Sequence, residues 1–215
     1  MDWNFYLNFF AAMFAIVNPI GIWPLWSELT DDVKSKSVRR DIAYLIIFSS
    51  LLILIVFFFS GRHLLNFFNI DLPVFRIAGG ILLLLTGISM IEGSATKLSE
   101  RDEQGDNELD LAKQRFRKII VPLLIPALAG PGSITTVVLF GASAETWQDY
   151  LVLTSIIIIT FLVLFIVFES SYFLEKKVDH VVFNVFTRVF GIIVTAIAVQ
   201  FMVIGLGQVF PAWLN

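Results

Sequence analysis

Six long apolar runs, separated by most of the charge in the chain, leave this sequence few ways to fold. They extend over Trp3 to Ser27, Ile42 to Ser60, Val74 to Ile91, Ile119 to Ala144, Tyr150 to Phe168 and Val189 to Phe210. About 20 apolar residues in a helix cross a hydrocarbon core about 30 Å thick. The charged fraction is 15% and the hydrophobic fraction 57%, whereas about a quarter of an ordinary soluble domain is charged. Lipid is the solvent that such runs require, and six transmembrane helices are predicted. Arg76 shortens the third run at its start. The first run has no basic flank before it and no small-residue cleavage site after it, so it reads as a retained helix and not as a removable signal.

Lys34, Lys36, Arg39 and Arg40 lie between the first two runs. Lys97, Arg101, Lys113, Arg115, Arg117 and Lys118 lie between the third and fourth, and Lys176 and Lys177 follow the fifth. The positive-inside rule makes these three connections cytoplasmic, which puts both termini on the non-cytoplasmic side. The connection 92–118 has too much charge to bury a core of its own and reads as a linker. Its last part, "ELDLAKQRFRK", has the pattern of a short helix lying on anionic lipid. The chain has no cysteine, which excludes disulfides, thiolate chemistry and cysteine metal sites. A net charge of -3 gives no sign of a nucleic-acid partner.

Displacing the sequence by 112 residues lays Ala15 on Ala127, Pro19 on Pro131, Arg76 on Arg188, Gly79 on Gly191, Met90 on Met202 and Gly93 on Gly205. Three runs fall in each half, an odd number, so the second half must enter the membrane with the opposite orientation. The expected architecture is an all-α membrane protein of six helices in two inverted three-helix repeats, residues 1–91 and 119–215, joined by the linker 92–118. Inverted repeats of this kind recur in secondary transporters. Gly191, Thr195, Ala198, Met202 and Gly205 recur at helical spacing and are matched by Gly79, Leu83, Thr86, Met90 and Gly93. They read as a seam for close helix packing in lipid.

The first and fourth runs interrupt themselves. In "FAIVNPIGIWPLW", Pro19 lacks an amide donor and crowds the carbonyl four residues earlier, while Asn18 and Gly21 accept non-helical dihedrals. In "IPALAGPGSITT", Gly130, Pro131 and Gly132 form the matching defect. Unpaired backbone groups cost several kcal/mol in lipid and persist only against protein or a wet cavity. Two breaks in register therefore point to one mid-membrane site. Its half-helix amides suit a carboxylate and its free carbonyls suit an ammonium group or a cation, so a small zwitterion is the expected ligand. Asn18, Ser133, Thr135 and Thr136 offer side-chain hydrogen bonds. A pair of kinks that only shape the bundle is the plainer alternative.

Arg76 and Arg188, near the starts of their runs, either snorkel and hold the opposing broken helix or meet a substrate carboxylate. Gln200 is a cavity residue or an interhelical bond. Glu28, Asp41, Glu92 and Glu169 all lie near run ends, so no deep carboxylate relay is visible, and H+ and Na+ both stay open as coupling ions. His63 and His180 lie in loops and no hydrolase or zinc motif occurs, so neither enzyme activity nor a cofactor is expected.

"FAIVNPIGIWPLW", "FRIAGGILLLLTGISMI", "VPLLIPALAGPGSITT" and "TRVFGIIVTAIAVQFMVIGL" together resemble the MarC family of bacterial and archaeal integral membrane proteins, over essentially the whole chain. The resemblance implies six helices in the inner membrane, within a transporter superfamily that contains amino-acid exporters. It implies a carrier of small neutral amino acids such as glycine and alanine, working by alternating access. Asn18, Pro19, Gly21, Gly130, Pro131 and Gly132 match the motif, with Ser133 following as the pattern expects. Export of drugs or other small metabolites on the same fold, or a non-transporting role, is the alternative. Membrane lipid is an expected partner, and a homo-oligomer is compatible with the sequence.

Overall fold

The computed structural model describes residues 3–30, 33, 35–93, 128–174 and 180–211. The charged linker beyond Gly93, the surface helix expected in "ELDLAKQRFRK", Ala127, Lys176 and Lys177 lie outside the described residues. Helices account for nearly all of the rest: α1 (Trp3–Val17), α2 (Trp23–Thr30), α3 (Lys36–Phe67), α4 (Leu72–Glu92), α5 (Pro131–Ser143), α6 (Trp147–Leu174) and α7 (His180–Val209). Four of them, α3, α4, α6 and α7, are long and apolar enough to cross a membrane, while α1 and α5 are shorter apolar helices. The two short ones belong to the runs with proline-glycine breaks.

Helix ends are set by local chemistry. Asn69 takes φ 55° after α3, where Asn69 N–H donates to the Asn66 carbonyl at 3.1 Å and Ile70 N–H to the Leu65 carbonyl at 2.9 Å. That pair of bonds satisfies the last carbonyls of the helix and reverses the chain. Before α6, the Thr146 hydroxyl accepts from Asp149 N–H at 3.2 Å and the Asp149 carboxylate accepts from Thr146 N–H at 2.8 Å, a reciprocal cap. The Tyr6 hydroxyl donates to the same carboxylate at 2.5 Å and ties α1 to the α5–α6 turn. Tyr6→Phe is therefore expected to lower the unfolding temperature in detergent while leaving helix content unchanged, as circular-dichroism melts would show.

The closest packing is between α4 and α7. An ideal Cβ at Gly80 would lie 2.8 Å from the Ala198 carbonyl oxygen, at Gly87 2.9 Å from that of Gly191, and at Gly205 2.9 Å from that of Pro73. The numbers fall on one helix as they rise on the other, so the two run antiparallel. The contacts repeat every seven residues, the period of a left-handed crossing. Glycines let two backbones meet in lipid, where packing drives helix association. On α4 the seam runs through Gly80 and Gly87. Gly79 and Leu83 turn instead toward α5, against Thr135 and Gly132.

α3 lies along α6, with Tyr44 tilted on Phe165 at 4.8 Å and Phe59 stacked on Tyr150 at 6.0 Å, again an antiparallel order. One large apolar cluster joins α1 and α2 to α3, α5 and α6; a smaller one joins Ala12, Ile16, Leu83, Leu139, Ala198 and Phe201. The outer faces stay apolar: Phe48 is 66% exposed and Ile192 60%. Faces like these require lipid. Trp26 is buried, stacks on Phe168 at 4.3 Å and lies under Arg39, which gathers the basic start of α3, α2 and the late part of α6 at one end of the bundle. Tyr6, Asp149, Arg76 and Gln208 mark the other.

Candidate functional site

The first run breaks where expected. α1 ends at Val17, a turn occupies 19–22, and α2 starts at Trp23. Asn18 is buried at φ 45°, a left-handed conformation that asparagine tolerates better than most residues. Its Oδ1 accepts from Gly21 N–H at 3.1 Å, a side-chain turn that replaces a lost helical bond. Pro19 is buried. Gly21 sits against Asn18 and Thr187, and the Thr187 hydroxyl donates to the Gly21 carbonyl at 3.3 Å. The absence of a Cβ at Gly21 is what lets α7 reach this carbonyl.

The second break matches it. Leu128 is helical, 129–130 bend, and α5 begins with Gly130 as N-cap and Pro131 in the first turn. Proline is suited to that turn because the amide it lacks would be unpaired there. Gly130 accepts from Ile134 N–H at 3.0 Å. The Ser133 hydroxyl donates to the Leu128 carbonyl at 2.8 Å, and Thr136 to the Gly132 carbonyl at 2.9 Å. These hydroxyls are turned to their own backbone, so each break is closed by its own sequence. Gly132 is buried with Leu83 against it and Ile16 beyond, Thr135 is buried against Gly79, and Pro131 is exposed.

The structure brings the breaks together. Val17, Ile22, Leu128 and Ala129 belong to one buried cluster. A cavity of about 490 Å³ lies nearer the Tyr6 end, and its polar wall is Asn8, Arg76, Ser143 and Gln200. Ala12, Leu139, Phe140 and Phe201 also line it, and three of them belong to the smaller apolar cluster. Ala12 precedes Asn18 by six residues and Leu139 follows Gly132 by seven, so at 1.5 Å per residue the breaks lie about 10 Å deeper along their helices. The cavity and the paired breaks are separated by that apolar layer.

Of the residues singled out from sequence, Asn18, Pro19, Gly130, Gly132, Ser133 and Thr135 are buried in the packed centre, with Gly21 half-buried beside them. Arg76 and Gln200 line the cavity, where the Arg76 guanidinium donates to Gln208 at 3.4 Å. Arg188, the counterpart of Arg76 in the displaced alignment, is exposed and lines no part of this cavity. Sequence reasoning missed Asn8, Ser143 and Thr187. Asn8 had a signal: an amide in an apolar run is costly unless it faces protein or water. No group of three or more metal-ligating side chains occurs among the described residues.

Comparison with known proteins agrees that this is an integral membrane protein. The model of a family described as "MarC family integral membrane protein" matches residues 3–210. A UPF0056 membrane protein of Buchnera aphidicola from Schizaphis graminum is 31% identical over 214 residues, covering 100% of this chain and 97% of its own. The UPF0056 membrane protein YhcE of Escherichia coli is 32% identical over 214 residues with the same coverage. A UPF0056 membrane protein of Methanocaldococcus jannaschii is 32% identical over 206 residues, 96% of this chain and 98% of the relative. No solved structure matches.

Proposed function

The chain belongs to the MarC family of integral membrane proteins, and from that premise we propose that it is a secondary transporter of small neutral amino acids of the glycine and alanine type. The observation that carries this reading is the pair of buried helix breaks, in register and in one cluster, beneath a cavity with polar walls. Broken helices near mid-membrane are how transporters present backbone amides and carbonyls to a small charged substrate. Substrate would enter the cavity, and parting of the apolar layer around Leu139 and Phe201 would expose Asn18, Gly21, Gly130 and Ser133. The substrate is a zwitterion, the coupling ion H+ or Na+, and the reading includes neither an enzymatic step nor a cofactor.

The six-helix inverted repeat belongs to the same proposal. The α4–α7 pairs Gly80 with Ala198 and Gly87 with Gly191 bracket Leu83 and Thr195, which are equivalent under the 112-residue displacement. A two-fold axis in the membrane plane relating the halves would pass through such an antiparallel crossing, and this supports the arrangement. The same reading puts the protein in the cytoplasmic membrane with both termini on the non-cytoplasmic side.

Labelled glycine and alanine uptake into proteoliposomes, with and without imposed proton or sodium gradients, tests it. Saturable uptake is expected for the native protein, reduced at least tenfold in the double variant Pro19→Ala, Pro131→Ala. Absence of uptake above empty liposomes under every gradient would remove the amino-acid reading. The aromatic wall of Phe5, Phe140 and Phe201 favours, as second reading, export of a small apolar metabolite or drug, and labelled drug in the same vesicles separates the two.

A further inference from the structure

Arg76 poses a problem of charge. It is half-buried, one turn into a membrane-spanning helix, and its side chain lines the 490 Å³ cavity. A guanidinium there is costly unless it is hydrated or counter-charged, and it has five N–H donors to satisfy. Its hydrogen bond among the described residues is the 3.4 Å contact to the neutral Gln208. The acidic side chain described at this end with close partners, Asp149, is already held by Tyr6, Thr146 and Glu145. Asn8 and Gln200 place amides on the cavity wall, and Phe140 and Phe201 make another part of it apolar.

We propose that this cavity is a binding site for a monocarboxylate with a short apolar body, and that Arg76 is the counter-charge of the carboxylate. A planar carboxylate takes two parallel N–H bonds from a guanidinium, while Phe140, Phe201 and Ile197 cover the apolar part. The amide oxygens of Asn8 and Gln200 accept from an ammonium group if the ligand carries one. One cation on the wall fits one carboxylate, and among the described residues no aspartate or glutamate lines the cavity to welcome a second positive charge. The volume falls in the range of ordinary ligand pockets, roughly 300–1,000 Å³. The identification of the physiological ligand as a neutral amino acid rests on the transport reading; the carboxylate site does not.

Equilibrium dialysis of the purified full chain in detergent, with radiolabelled L-alanine, propionate and L-alaninamide, tests the site. Alanine and propionate are expected to bind and alaninamide at least tenfold more weakly. Arg76→Gln should lose alanine and propionate binding at least tenfold, Arg76→Lys should keep part of it, and Arg188→Gln should bind as the native protein does. Ala11→Phe, at an exposed position of the cavity wall, should weaken binding by occupying the space, and it decides the matter if Arg76→Gln aggregates. Equal binding of alanine and alaninamide, or native affinity in a monodisperse Arg76→Gln, overturns the site and leaves amino-acid transport standing. Propionate bound without alanine keeps the site and removes the amino-acid reading. Neither ligand bound by the native chain overturns the site.

Discussion

Gly87→Leu is expected to destabilise the folded protein by about 3 kcal/mol, the upper part of the range for overpacking a tight interior. At Gly87 the space that a Cβ needs is taken by backbone: the Gly191 carbonyl oxygen at 2.9 Å and the Thr195 nitrogen at 2.9 Å, with the Thr195 hydroxyl closer still. Backbone atoms cannot move to another rotamer, so α4 and α7 must part. Parting at one level loosens the contacts seven and fourteen residues away, at Gly80 and at Gly205. Gly93→Ala is the control. Nothing lies within 4 Å of its Cβ position, and its only penalty is the φ of 73°, about 1 kcal/mol. Unfolding in mixed detergent micelles measures both, and a Gly87→Leu protein as stable as Gly93→Ala would show that the seam does not hold the bundle together.

Asn18→Val should be comparably damaging for a different reason. At φ 45° a β-branched side chain costs about 1–2 kcal/mol, and removing Oδ1 leaves the half-buried Gly21 amide without its 3.1 Å partner, about 1 kcal/mol. Asn18→Gly keeps the dihedral and loses only the bond, so it should recover roughly half the loss. Transport should follow the same order, native above Asn18→Gly above Asn18→Val, if the geometry of the break is what the substrate meets. Native stability and uptake in Asn18→Val would mean that Pro19 alone sets the break.

The breaks were legible because proline and glycine act on their own backbone: Pro19 lies just past the end of α1 and Pro131 opens α5, the places where a missing amide costs least. The α4–α7 seam was legible on one side. Gly191, Ala198 and Gly205 do face α4, but the alignment chose Gly79 where Gly80 and Gly87 make the contact. A displacement that preserves residue identity does not fix which face of α4 each glycine occupies once α5 packs against the same helix. Of the cavity, only Gln200 and Arg76 were legible. It is formed by residues from four helices, and nothing local distinguishes Ser143, whose hydroxyl caps Leu139 at 2.8 Å, from any serine at a helix end. That Arg76 lines the cavity and Arg188 does not is likewise a tertiary fact, since in sequence they are equivalent.

The glycine seam also limits how this protein can move. Two helices that touch backbone to backbone along most of their length cannot slide or tilt against each other without collisions at every seventh residue. α4 and α7 therefore behave as a single axle, and any cycle that opens the centre alternately to the two sides of the membrane must turn the broken helices around it.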